Sequence, residues 1–537
     1  MTITLLPHQL EGVAWLKSRE ESTNAGGILA DDMGLGKTIQ TISLILANRS
    51  KDAKCKSTLV VAPLALIKQW ELEVQTRTKK GSLSVLVYHG PSRPKDIAKL
   101  RATDVVITTY QVVASEYPDG LLYKNKWFRV VLDEAQTIKN KKTKSAIGCC
   151  ALEADRRFCL SGTPLQNNID EFYSFLKFLR FRPFHDYAMF KRQISEPMSR
   201  GRSVLAYNRL RAIFQVIMLR RTKASKIDGK PLLQLPARNV NIEKVSLGPD
   251  ELEFYTTLET RIKSTLKGFQ QDGYGKNFTN ILVLLLRLRQ ACDHRQLVGL
   301  GVDKEGEVQP DKGADLDDDV DEMIIQDAPA GQKECNTCAK TLERTWDGKV
   351  KTEEADAKWV SSAKVDKVNV TACIVSTSSD AKPAHKIIIF SQFTSMLNIV
   401  EKPLKRKGYK FCRYDGSMKN AHREEALERL RSDPETKILL ISLKCGSLGL
   451  NLTAANRVIM LDMWWNPALE DQAIDRVHRI GQTKDVEVIR LAVENTVEDR
   501  ILALQERKRT MIESALGNTK GKKNQKLSVN ELLQLFG

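Results

Sequence analysis

Short runs of uninterrupted aliphatic residues restrict the fold of this chain more than any other feature. TLVVA (58–62), SVLVY (84–88), DVVI (104–107), FRVVL (128–132) and RFCL (157–160) recur along the first part, with helix-length segments between them. A half-exposed strand alternates apolar and polar side chains. A continuous apolar run fits a strand covered on both faces, and hence a parallel α/β sheet. The same rhythm returns in KIIIF (386–390), KILLIS (437–442), RVIML (457–461) and VEVIRL (486–491). NAHREEALERLRS, between residues 410 and 440, has the spacing of a crossover helix. The expected fold class is therefore α/β, with two parallel-sheet lobes at 1–235 and 384–500 and helical insertions between them.

The intervening material is different. Residues 236–300 read as a helical protrusion whose apolar run ILVLLLRLRQ serves core packing. Residues 301–383 are polar and poorly periodic, and DLDDDVDE (315–322) holds six carboxylates in eight residues. Such a stretch buries too little apolar surface to fold alone, so an acidic, disordered insert is expected. Residues 501–537 form a helical, basic extension. The net charge of +18 favours a polyanionic partner, most commonly nucleic acid. Ten scattered cysteines suggest reduced thiols in a cytosolic or nuclear setting. The N-terminus MTITLLPHQLEG has no signal-peptide pattern, and no apolar run approaches the roughly 18 residues of a membrane helix.

Ligands of open α/β sheets bind beyond the carboxyl ends of the strands, so those ends are the places to look for chemistry. AGGILADDMGLGKTIQTISLIL (25–46) is a glycine-rich turn running into a helix. Backbone N–H groups and the helix dipole there would face an anion, with Lys37 reaching the β- and γ-phosphates of ATP and the Thr38 hydroxyl on Mg²⁺. Gly34 and Gly36 would let the backbone approach; the general phosphate-loop pattern fails only at Asp31. After FRVVL come Asp133 and Glu134, an acid suited to Mg²⁺ and a neighbour suited to activating water. After RFCL comes the polar turn Ser161-Gly162-Thr163-Pro164, placed to feel both nucleotide and neighbouring lobe. LKCGSLGLNLTAAN (443–456) supplies a second glycine loop, with Gly449 assigned to the nucleotide side. In QAIDRVHRIGQ (472–482), Arg476 and Arg479 lie three apart and project from one face. Guanidiniums so placed can neutralise a γ-phosphoryl group, and their position in the other lobe couples hydrolysis to closure.

Taken in order, LLPHQLEGVAWL, GGILADDMGLGKT, VVAPLALIKQW, DVVITTY, LDEAQ, LSGTPLQNN, IIFSQFTSML, YDGSM, SLKCGSLGLNLTAAN and WWNPALEDQAIDRVHRIGQ resemble the Swi/Snf-type ATPases of helicase superfamily two. The resemblance implies two RecA-like lobes. It makes Asp31 the family's own variant of the loop, and Gln9 the adenine-reading glutamine. Gln136 stands where many members have His. The family implies translocation on double-stranded DNA, remodelling or displacing bound protein, nucleosomes included, in chromatin or repair within the nucleus. Lys68, Thr108, Thr109 and Ser447 are then expected to hold DNA phosphates, and Trp465 to link that grip to the nucleotide pocket. An inactive DNA-binding scaffold and a strand-separating helicase are the alternatives.

LLRLRQACDH (285–294) and ELLQLFG (531–537) look like the Rad-type repair translocases and the helicase-like transcription factor subgroup, although Arg295 replaces a common proline. That subgroup usually carries a RING between the lobes. Here Cys335, Cys338, Cys373 and His385 could ligate one metal at most, so no complete RING and no ligase activity are expected. VDEMIIQD (320–327) is an acidic-flanked apolar tetrad suited to a small modifier protein. With Gln9 so near the start, the chain is expected to be the catalytic core of a larger protein.

Overall fold

The computed structural model describes residues 1–52, 55–91, 93–165, 169–200, 202–227, 229–272, 278–299, 360–377, 385–446 and 449–516. DLDDDVDE, VDEMIIQD, Cys335, Cys338, Ser447 and ELLQLFG lie outside the described residues. Among those described, no helix is long and apolar enough to cross a membrane.

The first sheet contains β1 (Gly26–Leu29), β2 (Thr58–Ala62), β3 (Val85–Val87), β4 (Val105–Thr109), β5 (Trp127–Asp133), β6 (Ala154–Leu160) and β7 (Met218–Leu219). Its order is β3-β4-β2-β5-β6-β1-β7, and every neighbouring pair is parallel. Leu59, Val60, Val61, Val130, Val131 and Leu132 are all fully buried, which is what their uninterrupted runs require of central strands. A small antiparallel ribbon, β8 (Lys226–Ile227) and β9 (Lys230–Pro231), follows.

The second sheet contains β10 (Arg238–Val245), β11 (Ile387–Ser391), β12 (Phe411–Tyr414), β13 (Ile438–Ser442), β14 (Arg457–Met460) and β15 (Val486–Val493), in the order β10-β15-β14-β11-β13-β12, again wholly parallel. Two boundaries expected from sequence change here. RNVNIEKV (238–245), placed in the helical protrusion, instead pairs with β15 over its whole length as the edge strand of this sheet. As an edge strand it is exposed along most of its length, so it carries polar residues and lacks the continuous apolar signature. Residues Ala363–Thr377, placed in the disordered insert, form a helix. Its Val365 and Val368 belong to one core with Leu297 of the helix Arg295–Gly299 and with Ile387 and Ile389 of the second sheet.

Helices Pro249–Asp272, Phe278–Asp293 and Val497–Leu516 make a separate layer against that lobe. Ile281, Leu285 and Leu288 of the long apolar run are buried at helical spacing with Tyr255, Ile262, Val497 and Ile501. At the joint sits Lys364, fully buried. Its ammonium donates to Asp293 Oδ1 (2.8 Å), Glu498 Oε1 (2.7 Å) and the Leu461 carbonyl (2.7 Å). One cation therefore ties the Phe278–Asp293 helix, the Val497–Leu516 helix and the second sheet together.

Burial pushes the Asp293 carboxyl well above its usual range even with Lys364 beside it. Lys364→Met would leave two buried carboxylates without their cation, a loss of about 3–5 kcal/mol. The Asp293 carboxyl, raised by burial, would lose the cation that opposes the rise, so the folded form binds more protons than the unfolded one and stability falls as pH rises. Urea unfolding of this variant should show a deficit that grows from about pH 5 to pH 8. A deficit independent of pH would mean that the carboxylates are neutralised by another group.

Candidate nucleotide site between the lobes

β1 leads into the loop before helix Lys37–Ala47, and Gly34 and Gly36 turn it with φ of 91° and 86°. The positive φ of both positions strains any residue with a side chain, and each glycine also faces a close neighbour. A Cβ on Gly36 would lie 2.5 Å from Gln9 Nε2, and one on Gly34 would lie 3.1 Å from the Cβ of Arg479 in the other lobe. Gln9 is buried; its Oε1 accepts from Leu6 N (3.0 Å) and its Nε2 donates to the Leu35 carbonyl (3.4 Å). Lys37 Nζ donates to the Asp31 carbonyl (2.6 Å) and the Asp32 carbonyl (3.4 Å). Burial lowers its pKa, with Glu134, Asp31 and Asp133 opposing.

Asp31, read as a nucleotide-binding position, has its carboxylate turned to other work. It accepts from Arg221 N (3.2 Å), Nε (3.0 Å) and Nη2 (2.5 Å) and from Gln40 Nε2 (3.2 Å), and it is fully buried. Arg221 also donates to Gln40 Oε1 (3.0 Å) and to the His8 carbonyl. The acid therefore braces the phosphate loop against the segment following β7, and its own backbone carbonyl receives Lys37.

β5 ends at Asp133 and Glu134. Asp133 Oδ2 accepts the Trp70 indole N–H (2.7 Å) and Oδ1 accepts Glu134 N (3.0 Å), while Tyr110 donates to its carbonyl (2.7 Å). Burial, and then the charge of Glu134, pushes the Asp133 carboxyl up to about 6. Glu134 sits in the left-handed region at φ 48°, where a non-glycine residue is strained. Burial would raise its pKa, yet Arg476 and Lys37 beside it hold it below the ordinary value.

The second lobe completes the site. Arg476 Nη2 reaches Glu134 Oε1 at 2.9 Å, both groups being largely buried, and Arg479 donates to the Leu450 carbonyl (3.3 Å). Gln472 Nε2 donates to Thr163 Oγ1 (2.8 Å). From there a chain of hydrogen bonds runs back to the acid: Ser161 Oγ accepts from Thr163 N (3.1 Å) and donates to Gln136 Oε1 (2.8 Å), whose amide donates to Glu134 Oε2 (3.0 Å). A Cβ on Gly449 would come within 1.6 Å of Leu66 Cδ2, so this glycine permits close approach of the lobes.

The expected DNA contacts fare differently. Thr108 and Thr109 are fully buried: Thr108 donates to the Tyr88 carbonyl (2.9 Å), and Thr109 caps the following helix by accepting from Val112 N (3.1 Å). Trp465 is half-buried, with Arg289 stacked over its ring at 4.8 Å, and belongs to the packing of the second lobe. Lys68 is exposed and pairs with Glu424 of the other lobe at 2.6 Å. Sequence reasoning missed Arg221, Trp70, Tyr110 and Gln472. Only the basic run RRTK (220–223) directly after β7 gave a local signal for Arg221.

A phosphate loop, adjacent acids at a neighbouring strand end and arginines from a facing lobe define a two-lobed P-loop nucleoside triphosphatase. Residues 8–297 match the SNF2-related domain, and residues 366–481 match the helicase conserved C-terminal domain. The chain belongs to the SNF2-related family, and its sheets are the two RecA-like lobes of that family. It is 36% identical to the uncharacterized ATP-dependent helicase C23E6.02 of Schizosaccharomyces pombe, over 99% of this chain and 62% of that protein. It is 32% identical to the helicase-like transcription factor CHR28 of Arabidopsis thaliana (100% of this chain, 77% of that one). With the DNA repair protein RAD5A of the same plant it shares 35% identity over 91% of this chain and 58% of that one.

Gly449→Val should drive a branched side chain into Leu66 and disfavour the closed arrangement by about 1–3 kcal/mol. Small-angle scattering should report an enlarged radius of gyration, and Leu66→Ala in the same chain should reverse it. An unchanged radius in the single variant would show that the lobes close without this contact.

Proposed function

We propose that the chain is an ATP-hydrolysing motor that translocates on double-stranded DNA and displaces or remodels proteins bound to it, nucleosomes among them. The observation carrying this reading is the meeting of Arg476 with Glu134 beside the phosphate loop, a site made from both lobes. Lys37 binds the β- and γ-phosphates, Glu134 orients and activates the attacking water, and Arg476 and Arg479 neutralise charge developing on the γ-phosphoryl group. Gln9 reads the adenine. Arg476 and Glu134 are paired at 2.9 Å, so ATP would compete for that guanidinium and release the acid to serve the water.

The donors present suit Mg²⁺. Asp133 and Glu134 are adjacent buried carboxylates, and each Asp133 oxygen accepts a single hydrogen bond in the structure, leaving lone pairs for a hydrated hard cation. Thr38 and Asp133 would hold the ion, which supplies charge neutralisation on the phosphate oxygens. DNA as partner is supported by the net charge of +18 and by relatives whose names describe transcription and DNA repair. The same names support a nuclear setting. Lys68, exposed at the cleft mouth, is suited to a phosphate contact.

Lys37→Ala should abolish ATP turnover, while Glu134→Gln should bind ATP and fail to cleave it. The wild-type rate should rise on adding duplex DNA, and a rate indifferent to duplex defeats the translocase reading. Arg479→Ala should lower the rate at saturating ATP steeply with little change in nucleotide affinity, as expected for a contact made chiefly in the transition state. If about five phosphates are contacted, log K for duplex should fall against log[salt] with a slope of about −4 to −5. Strong discrimination between unrelated duplexes at one salt concentration would contradict this electrostatic binding.

A further inference from the structure

The segment after β7 is bonded to both halves of the catalytic site. Arg221 and Lys223 sit two residues apart in the loop after β7, where the Asp32 N–H donates to the Arg221 carbonyl (2.9 Å) and Lys223 N donates to Asp32 Oδ2 (3.1 Å). Arg221 grips Asp31 of the phosphate loop, as described above. Lys223 reaches the opposite way. Its ammonium donates to Asp475 Oδ1 (2.9 Å) and to the His478 carbonyl (2.5 Å), both in the second lobe.

Those two acceptors immediately precede the two arginines in the chain, Asp475 before Arg476 and His478 before Arg479. Asp475 ends the helix Pro467–Asp475 and Arg476 follows it directly, while the His478 carbonyl is one peptide before Arg479. A cation at the end of a helix is also favoured by the helix dipole. The lysine lies in the cleft itself: a Cβ on Gly34 would be 3.1 Å from Arg479 Cβ and 3.8 Å from Lys223 Cε. Arg238 supports the same acid from behind, donating to Asp475 Oδ1 at 3.0 Å. Lys223 is largely buried, so its ion pair is only weakly screened by solvent.

We infer that Lys223 is the positioning residue of the arginine pair, holding the 475–479 turn against the phosphate loop so that Arg479 is presented to the nucleotide, with Arg221 fixing the loop at the other end of the same short segment. This rests on the function proposed above. Lys223 itself touches no reacting atom in the scheme; it acts through Arg479. Arginine at this position would keep both the charge and the reach, whereas methionine keeps only the volume.

The test uses the whole chain with duplex DNA, saturating ATP and Mg²⁺, comparing Lys223→Met, Lys223→Arg, Arg479→Ala and the Lys223→Met/Arg479→Ala double variant. Losing a charged hydrogen bond made to a catalytic turn should lower the single-turnover rate of Lys223→Met about 10- to 100-fold. Nucleotide affinity should stay close to the wild-type value. Lys223→Arg should recover most of the rate, and Lys223→Met should add nothing in the Arg479→Ala background. Amide hydrogen exchange at 475–482 should quicken in Lys223→Met while that of the Phe278–Asp293 helix does not.

Wild-type hydrolysis by Lys223→Met, or a rate loss that multiplies with that of Arg479→Ala, overturns the inference. If the wild-type chain hydrolyses no ATP, the proposed function falls, and the exchange measurement alone decides whether Lys223 holds the turn. Unchanged exchange there overturns it too.

Discussion

Two carboxylates side by side in a nearly dry site, Asp133 and Glu134, are the constraint on which the rest of the structure depends. Removing one charge from water costs several kcal/mol unless it is paired, and two like charges together cost more. The fold answers with a hydrogen bond from Trp70, one from the backbone of Glu134, and two cations. Lys37 comes from the phosphate loop of the same sheet and Arg476 comes from the other lobe. One of the two cations is thus borrowed across a cleft. The first lobe alone would leave Glu134 without its nearest cation, which gives the lobes a reason to meet before any nucleotide is considered.

On the proposed function, that borrowing also gives the site a way to turn over. A γ-phosphoryl group entering between Lys37 and Arg476 brings charge of the same sign as Glu134 and competes for the same guanidinium. The competition frees the acid at the moment its acceptor capacity is needed by water. Glu134 is held in strained backbone at φ 48°, with its other oxygen fixed by Gln136. Freed of Arg476, it therefore stays aimed. The path Glu134–Gln136–Ser161–Thr163–Gln472 passes from that acid to the helix carrying the arginines without leaving hydrogen-bonding distance. Gln136 keeps this path intact because its amide can donate to the acid and accept from Ser161 at once.

The central strands and the loops at their ends were legible because they obey strong local rules. β2, β11 and β13 carry nearly unbroken apolar runs, and the phosphate loop and the Asp133–Glu134 pair follow the ends of β1 and β5. The polar turn after β6 behaves as its position suggested, joining Glu134 to Gln472 through Ser161 and Thr163. What escaped did so for equally physical reasons. β10 is an edge strand with a solvent-facing composition, and the helix Ala363–Thr377 follows a long polar stretch that masks it. Thr108 and Thr109 look like phosphate ligands in a line of text, but a strand covered on both faces turns its hydroxyls to the nearest carbonyl or helix N-terminus. Asp31 resembles a binding residue until its partner appears, and Arg221 is 190 positions away in the chain.

The chemistry of the contacts between the lobes is the last part of the argument. Apart from Leu66 against Gly449, those described here are polar: Arg476–Glu134, Gln472–Thr163, Lys223–Asp475 and Lys68–Glu424. An apolar interface of the same extent would favour closure in every nucleotide state, because opening it would expose hydrocarbon to water. Polar partners can exchange each other for water on opening, so the gap between open and closed forms stays within reach of a ligand's differential affinity. The exposed Lys68–Glu424 pair adds little to that balance, while the largely buried pairs near the nucleotide set it. Rigidity is placed elsewhere. The buried Lys364 joint locks the helical layer to the second sheet, so displacement of the arginine turn is carried by the whole lobe. On the proposed function, a soft, ion-paired cleft between two stiff bodies is what would let a change at one phosphate become a step along a long polyanion.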